Sequence, residues 1–265
     1  MDTGERKTYW ESRLTQQFTL QGVGYIGLSD AFNAWLYRVK RHAFHRAARD
    51  TGVDVTKAEV LDIGSGTGFL IDRWLEAGCE NLTGVDLTQI SVDSLTEKYP
   101  QCQFHQVDIG ESAEALRGRQ FDLISSFDVL YHIVDDASFE RAISNISALL
   151  KPGGIFLISD NFLHRDTIHG DTQTNRSLEY MEKVFSGAGL EMISRRPQFF
   201  FLNNPIDSTN PLLRFSWRVT AKLASMGNLT GFLVGALLYP LELFCISTLT
   251  ESPTTEVALC RKRQA

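Results

Sequence analysis

The chain has 265 residues, of which 43% are hydrophobic and 22% charged, so it can bury a sizeable core as one large domain with additions. Its net charge of −6 argues against bulk binding of nucleic acid, which requires a basic surface. The four cysteines include no C-x-x-C pair and the first residues resemble no secretory signal, so we expect a cytoplasmic protein without a zinc or redox site.

Residues 1–55 are predicted to form an N-terminal helical cap. Apolar residues recur near helical spacing at Phe32, Leu36, Val39 and Phe44. Asp30, directly after Ser29, is the predicted N-cap of this helix, and Gly52 is the predicted stop.

Short apolar runs alternate with helical stretches from residue 58 onward. The predicted strands are 59–64, 81–87, 102–108, 121–129, 154–160, 190–201 and 255–262. This alternation predicts an α/β fold with a doubly wound, mostly parallel, seven-stranded sheet. The last two strands lack a simple crossover helix and are predicted to form an antiparallel edge pair. The predicted core comprises residues 56–202 and 251–265.

Residues 203–250 form a predicted helical, hydrophobic insertion before the last strand. In its first helix, apolar residues lie three and four apart and basic residues lie four apart on another face: Leu212, Phe215, Val219, Leu223 and Met226, against Arg214, Arg218 and Lys222. Residues 229–246 carry one charge, Glu242, and approach the lower length limit of a membrane span. Pro240 and Glu242 argue against a true span.

Two glycine runs compete as nucleotide-binding turns, which need a strand before them and a helix after them. GVGYIG (22–27) follows a polar stretch, and we interpret it as a link between N-terminal elements; the alternative is a segment that gates the cofactor site. GSGTG (64–68) lies between a predicted strand and an amphipathic helix. Phe69 stands where a dinucleotide turn has its third glycine, which favours a nucleoside without phosphates.

Five segments resemble, in order, the motifs of class I S-adenosylmethionine-dependent methyltransferases. They are VLDIGSGTGF (60–69), GVDL (84–87), HQVDIG (105–110), FDLISSFDVLYHIVDD (121–136) and LLKPGGIFLISD (149–160). The resemblance covers about residues 58–200 and the closing strand. It implies a Rossmann-like methyltransferase fold and S-adenosyl-L-methionine as the cofactor, with Asp86 on the ribose and Asp108 on the adenine amine.

The resemblance also implies a set of cofactor-binding residues. They are Asp62, Gly64, Ser65, Gly66, Gly68, Asp86, Leu87, Asp108, Ile109 and Phe127. We expect backbone N–H groups of the glycine turn to hold the carboxylate of the cofactor's amino-acid tail. Asp62 is expected to favour the cationic groups of the cofactor, to cap the turn, or to do both.

Methyl transfer requires an acceptor atom held about 3–3.5 Å from an already activated methyl carbon, and a positioned base typically adds about 10²–10⁴-fold for a hydroxyl acceptor. His132, after the fourth strand, and His164, after the fifth, are the candidate bases. The alternative for His132 is packing beside the cofactor. His42 and His45 are interpreted as surface residues, so no metal site is expected.

The N-terminal helices and the insertion are expected to build the acceptor pocket, because both are rich in aromatic and aliphatic residues. This composition favours a small, partly apolar acceptor such as a lipid, glycolipid or polyketide, methylated on oxygen, with N- or C-methylation as alternatives. We interpret the insertion as a lid; the alternative is peripheral contact of residues 211–246 with anionic membrane lipids. A nicotinamide oxidoreductase and a non-catalytic cofactor-binding protein are the rival functions.

Overall fold

A computed structural model describes residues 3–264 and shows a seven-stranded sheet with helices on both faces. In chain order the elements are α1 (Thr3–Gln16), α2 (Leu20–Val23), α3 (Asp30–Asp50), β1 (Glu59–Ile63), α4 (Phe69–Glu76), β2 (Asn81–Asp86), α5 (Gln89–Lys98), β3 (Gln103–Gln106), β4 (Phe121–Phe127), α6 (Asp136–Leu149), β5 (Leu150–Asp160), β6 (Ile168–His169), β7 (Thr174–Asn175), α7 (Leu178–Gly187), β8 (Leu190–Pro197), α8 (Pro211–Ser225), α9 (Asn228–Thr248) and β9 (Glu256–Lys262).

The strand order in the large sheet is β3-β2-β1-β4-β5-β9-β8. All neighbours from β3 to β5 pair in parallel, whereas β9 is antiparallel to both β5 and β8. The predicted doubly wound, mostly parallel sheet with a closing antiparallel pair is therefore confirmed. The chain leaves β1 toward β2 on one side and later returns to β4 on the other. A ligand crevice is expected at this switch point, beyond the carboxyl ends of these strands.

The N-cap of helix α3 lies one residue earlier than the sequence predicted. Ser29, in an extended conformation, is the N-cap and accepts a hydrogen bond from the Phe32 N–H, so the predicted cap Asp30 is the first helical residue. The predicted apolar face is confirmed, since Phe32, Val39 and Phe44 are fully buried.

Helices α8 and α9 lie within the predicted insertion and form a hairpin. Its small residues Thr220 and Ala224 face inward, while the predicted apolar stripe of α8 is exposed. The exposed large apolar side chains of the hairpin are Leu212, Phe215, Val219, Leu223, Met226, Leu229, Phe232, Leu233, Leu237, Leu241 and Phe244. Among the described residues, α9 is the one helix long and apolar enough to cross a bilayer by length and composition.

Two small features were not predicted from the sequence. Residues 20–23 form a single helical turn, and β6 and β7 form a two-stranded ribbon after β5. The ribbon leads the chain past the carboxyl edge of the sheet and brings the carbonyl of Thr172 to the ring of His132.

Candidate cofactor and acceptor site

A crevice lies at the switch point of the sheet, where the glycine turn leaves β1. Of the residues predicted to bind a cofactor, those that line this crevice are Asp62, Gly64, Ser65, Gly66, Asp86, Leu87, Asp108, Ile109 and Phe127. Gly68 does not line it. Instead Gly68 is the N-cap of α4 with a φ of +88°, and a Cβ there would lie 2.8 Å from Leu95 of α5. The missing side chain therefore allows the start of α4 to pack closely against α5.

The glycine turn is held tightly against the neighbouring strand. The N–H groups of Gly64 and Ser65 both donate to the Val85 carbonyl, at 2.8 and 3.1 Å, and the Gly66 N–H donates to Asp86 Oδ2 at 2.8 Å. Gly64 has a φ of +75°, and a Cβ on it would lie 2.3 Å from Val129 Cγ2. Because these three N–H groups are already paired, they do not serve as the expected donors to a tail carboxylate.

Asp62 presents an unpaired carboxylate oxygen at this crevice. Its side chain is 1% exposed, and Oδ1 accepts a hydrogen bond from Ser125 Oγ at 2.6 Å. Oδ2 is buried and has no hydrogen-bond partner among residues 3–264, as is also true of the Thr67 hydroxyl in the same crevice. Burial raises the pKa of Asp62 to about 7. Such an orphaned acceptor is costly unless a ligand supplies the missing donor.

Asp86 is the last residue of β2, and Asp108 follows the end of β3. In both side chains, each carboxylate oxygen already has a partner in the protein. Asp86 Oδ1 accepts from the Thr88 N–H and hydroxyl, while Oδ2 accepts from Gly66. Asp108 Oδ1 accepts from the Gly110 N–H, and Oδ2 pairs with Arg6 at 2.5 Å. Asp86 Oδ2 and both oxygens of Asp108 still have lone-pair capacity for a further donor, whereas Asp86 Oδ1 already accepts two hydrogen bonds. The Arg6 contact means that a ligand amine at Asp108 would share that carboxylate.

Helix α1 lies across the crevice, an arrangement that the sequence did not predict. Arg6, Trp10 and Leu14 line the crevice, and Glu11 accepts hydrogen bonds from the N–H groups of Gln89 and Ile90 at the start of α5. A carboxylate at a helix N-terminus is favourable, so this contact fastens α1 to the sheet domain. The polar sequence of α1 offers no signal for these long-range contacts.

A second cavity, here called the acceptor pocket, adjoins the crevice. Residues that line both are Trp10, Val23, Tyr37, Lys40, Asp128 and His132. Side-chain amides that line the acceptor pocket are Asn33, Asn161, Gln173, Asn175, Asn203 and Asn204, and its aromatic residues include Tyr9, Tyr25, Tyr131 and Phe199. The pocket therefore presents polar groups and aromatic surface together.

The GVGYIG segment lies at the boundary of the two cavities. Val23 lines both, and a Cβ on Gly66 would lie 3.3 Å from Val23 Cγ1. Residues 24–27 line the acceptor pocket. This segment has no preceding strand, and its position over the glycine turn is the one that the alternative interpretation, a gating segment, requires.

His132 lines both cavities. Its Nδ1 lies 3.0 Å from the Thr172 carbonyl oxygen, and since a carbonyl only accepts, Nδ1 carries the proton and Nε2 is the basic nitrogen. Trp10 packs edge-on against the ring, with centroids 5.0 Å apart. Burial lowers the pKa of His132 to about 4, so the ring is neutral at physiological pH.

His164 is not brought to the site, and its prediction as a base is corrected here. The imidazole is exposed and pairs with Asp207 at 2.6 Å and Glu251 at 3.2 Å. It lines neither the crevice nor the acceptor pocket. The loop after β5 turns away from the site, a direction that spacing from the strand end does not encode.

An ion pair between Lys40 and Asp128 was missed from the sequence. Lys40 Nζ lies 2.7 Å from Asp128 Oδ2, and the Ser159 hydroxyl donates to Asp128 Oδ1 at 2.8 Å. Burial opposes the charged form of Lys40, but the charges of Asp128 and Tyr37 and the hydrogen bond to Asp128 outweigh it, so the pKa of Lys40 is raised. Asp128 has a φ of +59°. Its place near the carboxyl end of the fourth predicted strand (121–129) was the available signal.

Comparison with known proteins identifies a methyltransferase domain within the chain. Residues 60–154 match the family model of a methyltransferase domain. The ubiquinone biosynthesis O-methyltransferase of Albidiferax ferrireducens is 31% identical over 105 residues, covering 38% of this chain and 40% of the relative. The mRNA cap guanine-N(7) methyltransferase of Caenorhabditis elegans is 29% identical over 142 residues, covering 47% of this chain and 36% of the relative. The chain thus spans well under half the length of these relatives.

Solved structures share the whole fold at low identity. Magnesium protoporphyrin IX methyltransferase from Synechocystis, solved with bound S-adenosylmethionine, has a TM-score of 0.60 at 13% identity and covers 99% of this chain and 97% of its own. The N-methyltransferase NodS from Bradyrhizobium japonicum has a TM-score of 0.56 at 15% identity, covering 97% and 98%. The matched methyltransferase domain, the motif order and the sheet topology support the resemblance to class I S-adenosylmethionine-dependent methyltransferases that the sequence predicted.

Proposed function

We propose that the chain transfers a methyl group from S-adenosylmethionine to an oxygen atom of a small, partly apolar acceptor. One observation carries the proposal: a crevice with an orphaned carboxylate oxygen on Asp62 opens into a second cavity, and the neutral His132 lies at their boundary. When bound, the cofactor supplies an activated methyl group on a positively charged sulfur.

The residues of the crevice fit this cofactor. Asp62 Oδ2 offers the missing partner for the ammonium of the amino-acid tail, and the unpaired Thr67 hydroxyl offers a further polar contact. Asp86, fixed by Gly66 and Thr88, retains a lone pair on Oδ2 for a ribose hydroxyl. Leu87 and Ile109 supply apolar walls for the adenine ring. The positive cofactor as a whole is favoured by the carboxylates around the crevice.

His132 acts as the base in this proposal. The cofactor would supply the methyl group by cleavage of its methyl carbon–sulfur bond, with the electron pair left on sulfur. The proton of the acceptor hydroxyl would pass to His132 Nε2, while the Thr172 carbonyl holds the Nδ1 proton in place. Lys40 and Asp128, which line both cavities as His132 does, hold each other in place as an ion pair at the boundary. Trp10 and the GVGYIG segment cover the junction and limit access of water.

The lining of the acceptor pocket supports an acceptor with a polar head and an apolar portion. Its side-chain amides both donate and accept hydrogen bonds, which suits hydroxyl or carbonyl groups, while its tyrosines and Phe199 suit apolar surface. A lipid, glycolipid or polyketide-like metabolite has this character. The net charge of −6 favours such a molecule over the RNA substrates named for some relatives. We propose a cytoplasmic enzyme in peripheral contact with a membrane.

The test combines binding with turnover. S-adenosylhomocysteine is expected to quench tryptophan fluorescence because Trp10 lines the crevice, whereas NAD is expected to have no effect. Incubation with methyl-labelled cofactor and lipid or metabolite extracts should give a labelled, O-methylated product. His132→Ala should lower turnover about 10²–10⁴-fold without changing S-adenosylhomocysteine affinity. His164→Ala is the matched control and should change neither. Binding of NAD alone, or an unaffected His132→Ala, would overturn the proposal.

A further inference from the structure

The outward side of the α8–α9 hairpin, here called the hairpin face, is the main exposed apolar surface of the described chain. It contains eleven of the eighteen exposed large apolar side chains among residues 3–264, so they are concentrated rather than scattered. Six of them are more than 60% exposed: Leu212, Phe215, Met226, Leu229, Leu237 and Phe244. A surface of this kind on a soluble domain marks a site of interaction.

The opposite side of the hairpin is fastened to the domain. The Ser29 N–H donates to the Ala224 carbonyl at 3.0 Å, and Arg46 donates to the Ile246 carbonyl. Glu242, the acidic residue of α9, is buried and accepts three backbone N–H groups from residues 200–202. Crossing a bilayer would break all these contacts. The hairpin therefore presents its face from the domain and does not span.

The charge of the hairpin is opposite to that of the chain. Arg214, Arg218 and Lys222 are exposed and, within the described residues, form no ion pair within 4.0 Å. The hairpin's carboxylate, Glu242, is buried on the other side. A locally cationic apolar face on a chain of net charge −6 is complementary to an anionic lipid surface. A second copy of the chain would instead bring the same cations together.

The acceptor pocket opens beside the hairpin face. Tyr25 and Ile26 line that pocket and are 42% and 58% exposed. The ring of Tyr25 packs against Trp217 of α8, with centroids 6.1 Å apart. The lining of the acceptor pocket is therefore in direct contact with α8.

We propose that the hairpin face docks in the headgroup region of an anionic bilayer and that the acceptor is an amphiphile taken from this surface. Phe215, Leu233 and Leu237 enter the interface, while Arg214, Arg218 and Lys222 contact lipid phosphates. The identity of the acceptor rests on the proposed methyl transfer, but the docking does not.

Vesicle co-sedimentation tests the docking directly. The full chain should bind vesicles of phosphatidylcholine and phosphatidylglycerol in equal amounts, bind phosphatidylcholine vesicles weakly, and lose affinity as salt increases. R214Q/R218Q/K222Q should weaken binding to the anionic vesicles roughly 100-fold. F215E/L233E should weaken it by at least about the same factor. I168E/I193E, which changes two exposed isoleucines outside the hairpin, should bind like the unchanged chain.

Two further measurements separate the possible failures. Far-ultraviolet circular dichroism of each variant shows whether it is folded, and S-adenosylhomocysteine binding tests the proposed function separately. Absent vesicle binding, or binding that F215E/L233E leaves intact, overturns the docking. The docking is also overturned if light scattering shows a dimer that F215E/L233E dissociates into monomers. Docking with no response to S-adenosylhomocysteine would support the surface and instead contradict the proposed function.

Discussion

Replacing Asp62 by Asn is expected to stabilise the ligand-free protein and to weaken its cofactor binding. The carboxyl is 1% exposed, and burial raises its pKa to about 7. Because the pKa of Asp62 is higher in the folded than in the unfolded state, the protonated carboxyl stabilises the fold in full below about pH 3.8. This contribution to the free energy of unfolding is lost as the pH rises through about 7. Asn resembles the protonated acid, and its oxygen retains the bond from Ser125.

The magnitude follows from the difference in pKa. At 1.36 kcal/mol per pKa unit, Asp62→Asn should raise the free energy of unfolding by up to about 4 kcal/mol near pH 8, about 2 kcal/mol near pH 5, and almost nothing below pH 4. The lost charge-assisted hydrogen bond to the ligand ammonium should cost roughly 1.5–3 kcal/mol, or about 10–150-fold in Kd. Urea denaturation and calorimetric titration with S-adenosylhomocysteine measure the two effects.

Asp160→Asn is the matched control. Asp160 is also 1% exposed, with a pKa that burial raises to about 7, but it lines neither cavity. It should show the gain in stability without the loss of affinity. Equal affinity losses in both variants, or unchanged affinity in Asp62→Asn, would refute the assignment of Asp62 Oδ2 to the ligand.

Three other expectations follow from the same contacts. The His132 ring should titrate near pH 4 by NMR, because burial disfavours its charged form. Since the unfolded chain binds this proton more readily, the fold should lose stability as the pH falls below 6.5. A titration midpoint near 6.5 would contradict the placement of His132. Arg6→Ala should speed S-adenosylhomocysteine release about 10–100-fold in stopped-flow fluorescence by freeing α1, whereas the exposed Lys7→Ala should not. Glu242→Ala should lower the free energy of unfolding by about 3 kcal/mol or more, because three buried N–H groups lose their acceptor, and the exposed Glu182→Ala should have little effect; equal losses would argue against the fastening of α9.

The sheet could be predicted because its strands carry strong local signals. Apolar runs such as those of β1 and β4 are bounded by glycine or aspartate, and helices of ordinary length separate them. Within ±4 residues, all seven strands lie where the sequence predicts them. The glycine turn and Asp86 were identified for the same reason, since their position at strand ends is local information.

The burial of α8 could not be read from its sequence. Periodicity identified its apolar stripe but not which side another element covers. The side that packs on the domain carries small residues, Thr220 and Ala224, which allow close approach of neighbouring elements. Most of the larger side chains remain outward, except Trp217, which is half-buried against the core, and only the tertiary arrangement shows this.

Only some of the residues of the site could be predicted from the sequence. His132 and His164 follow neighbouring strand ends and had similar sequence signals, but the loop after β5 carries His164 to Asp207 instead. Arg6 reaches Asp108 across 102 residues of chain, and Lys40 reaches Asp128 from α3. Such contacts depend on how helices cross the sheet edge, which no local pattern specifies.

The most direct measurement is a crystal structure of the chain grown with S-adenosylhomocysteine. The proposed site predicts the ligand between the glycine turn and α1, with ribose hydroxyls on Asp86 and the ammonium on Asp62 Oδ2. A ligand bound elsewhere, or a sugar directed away from Asp86 at saturating concentration, would contradict it.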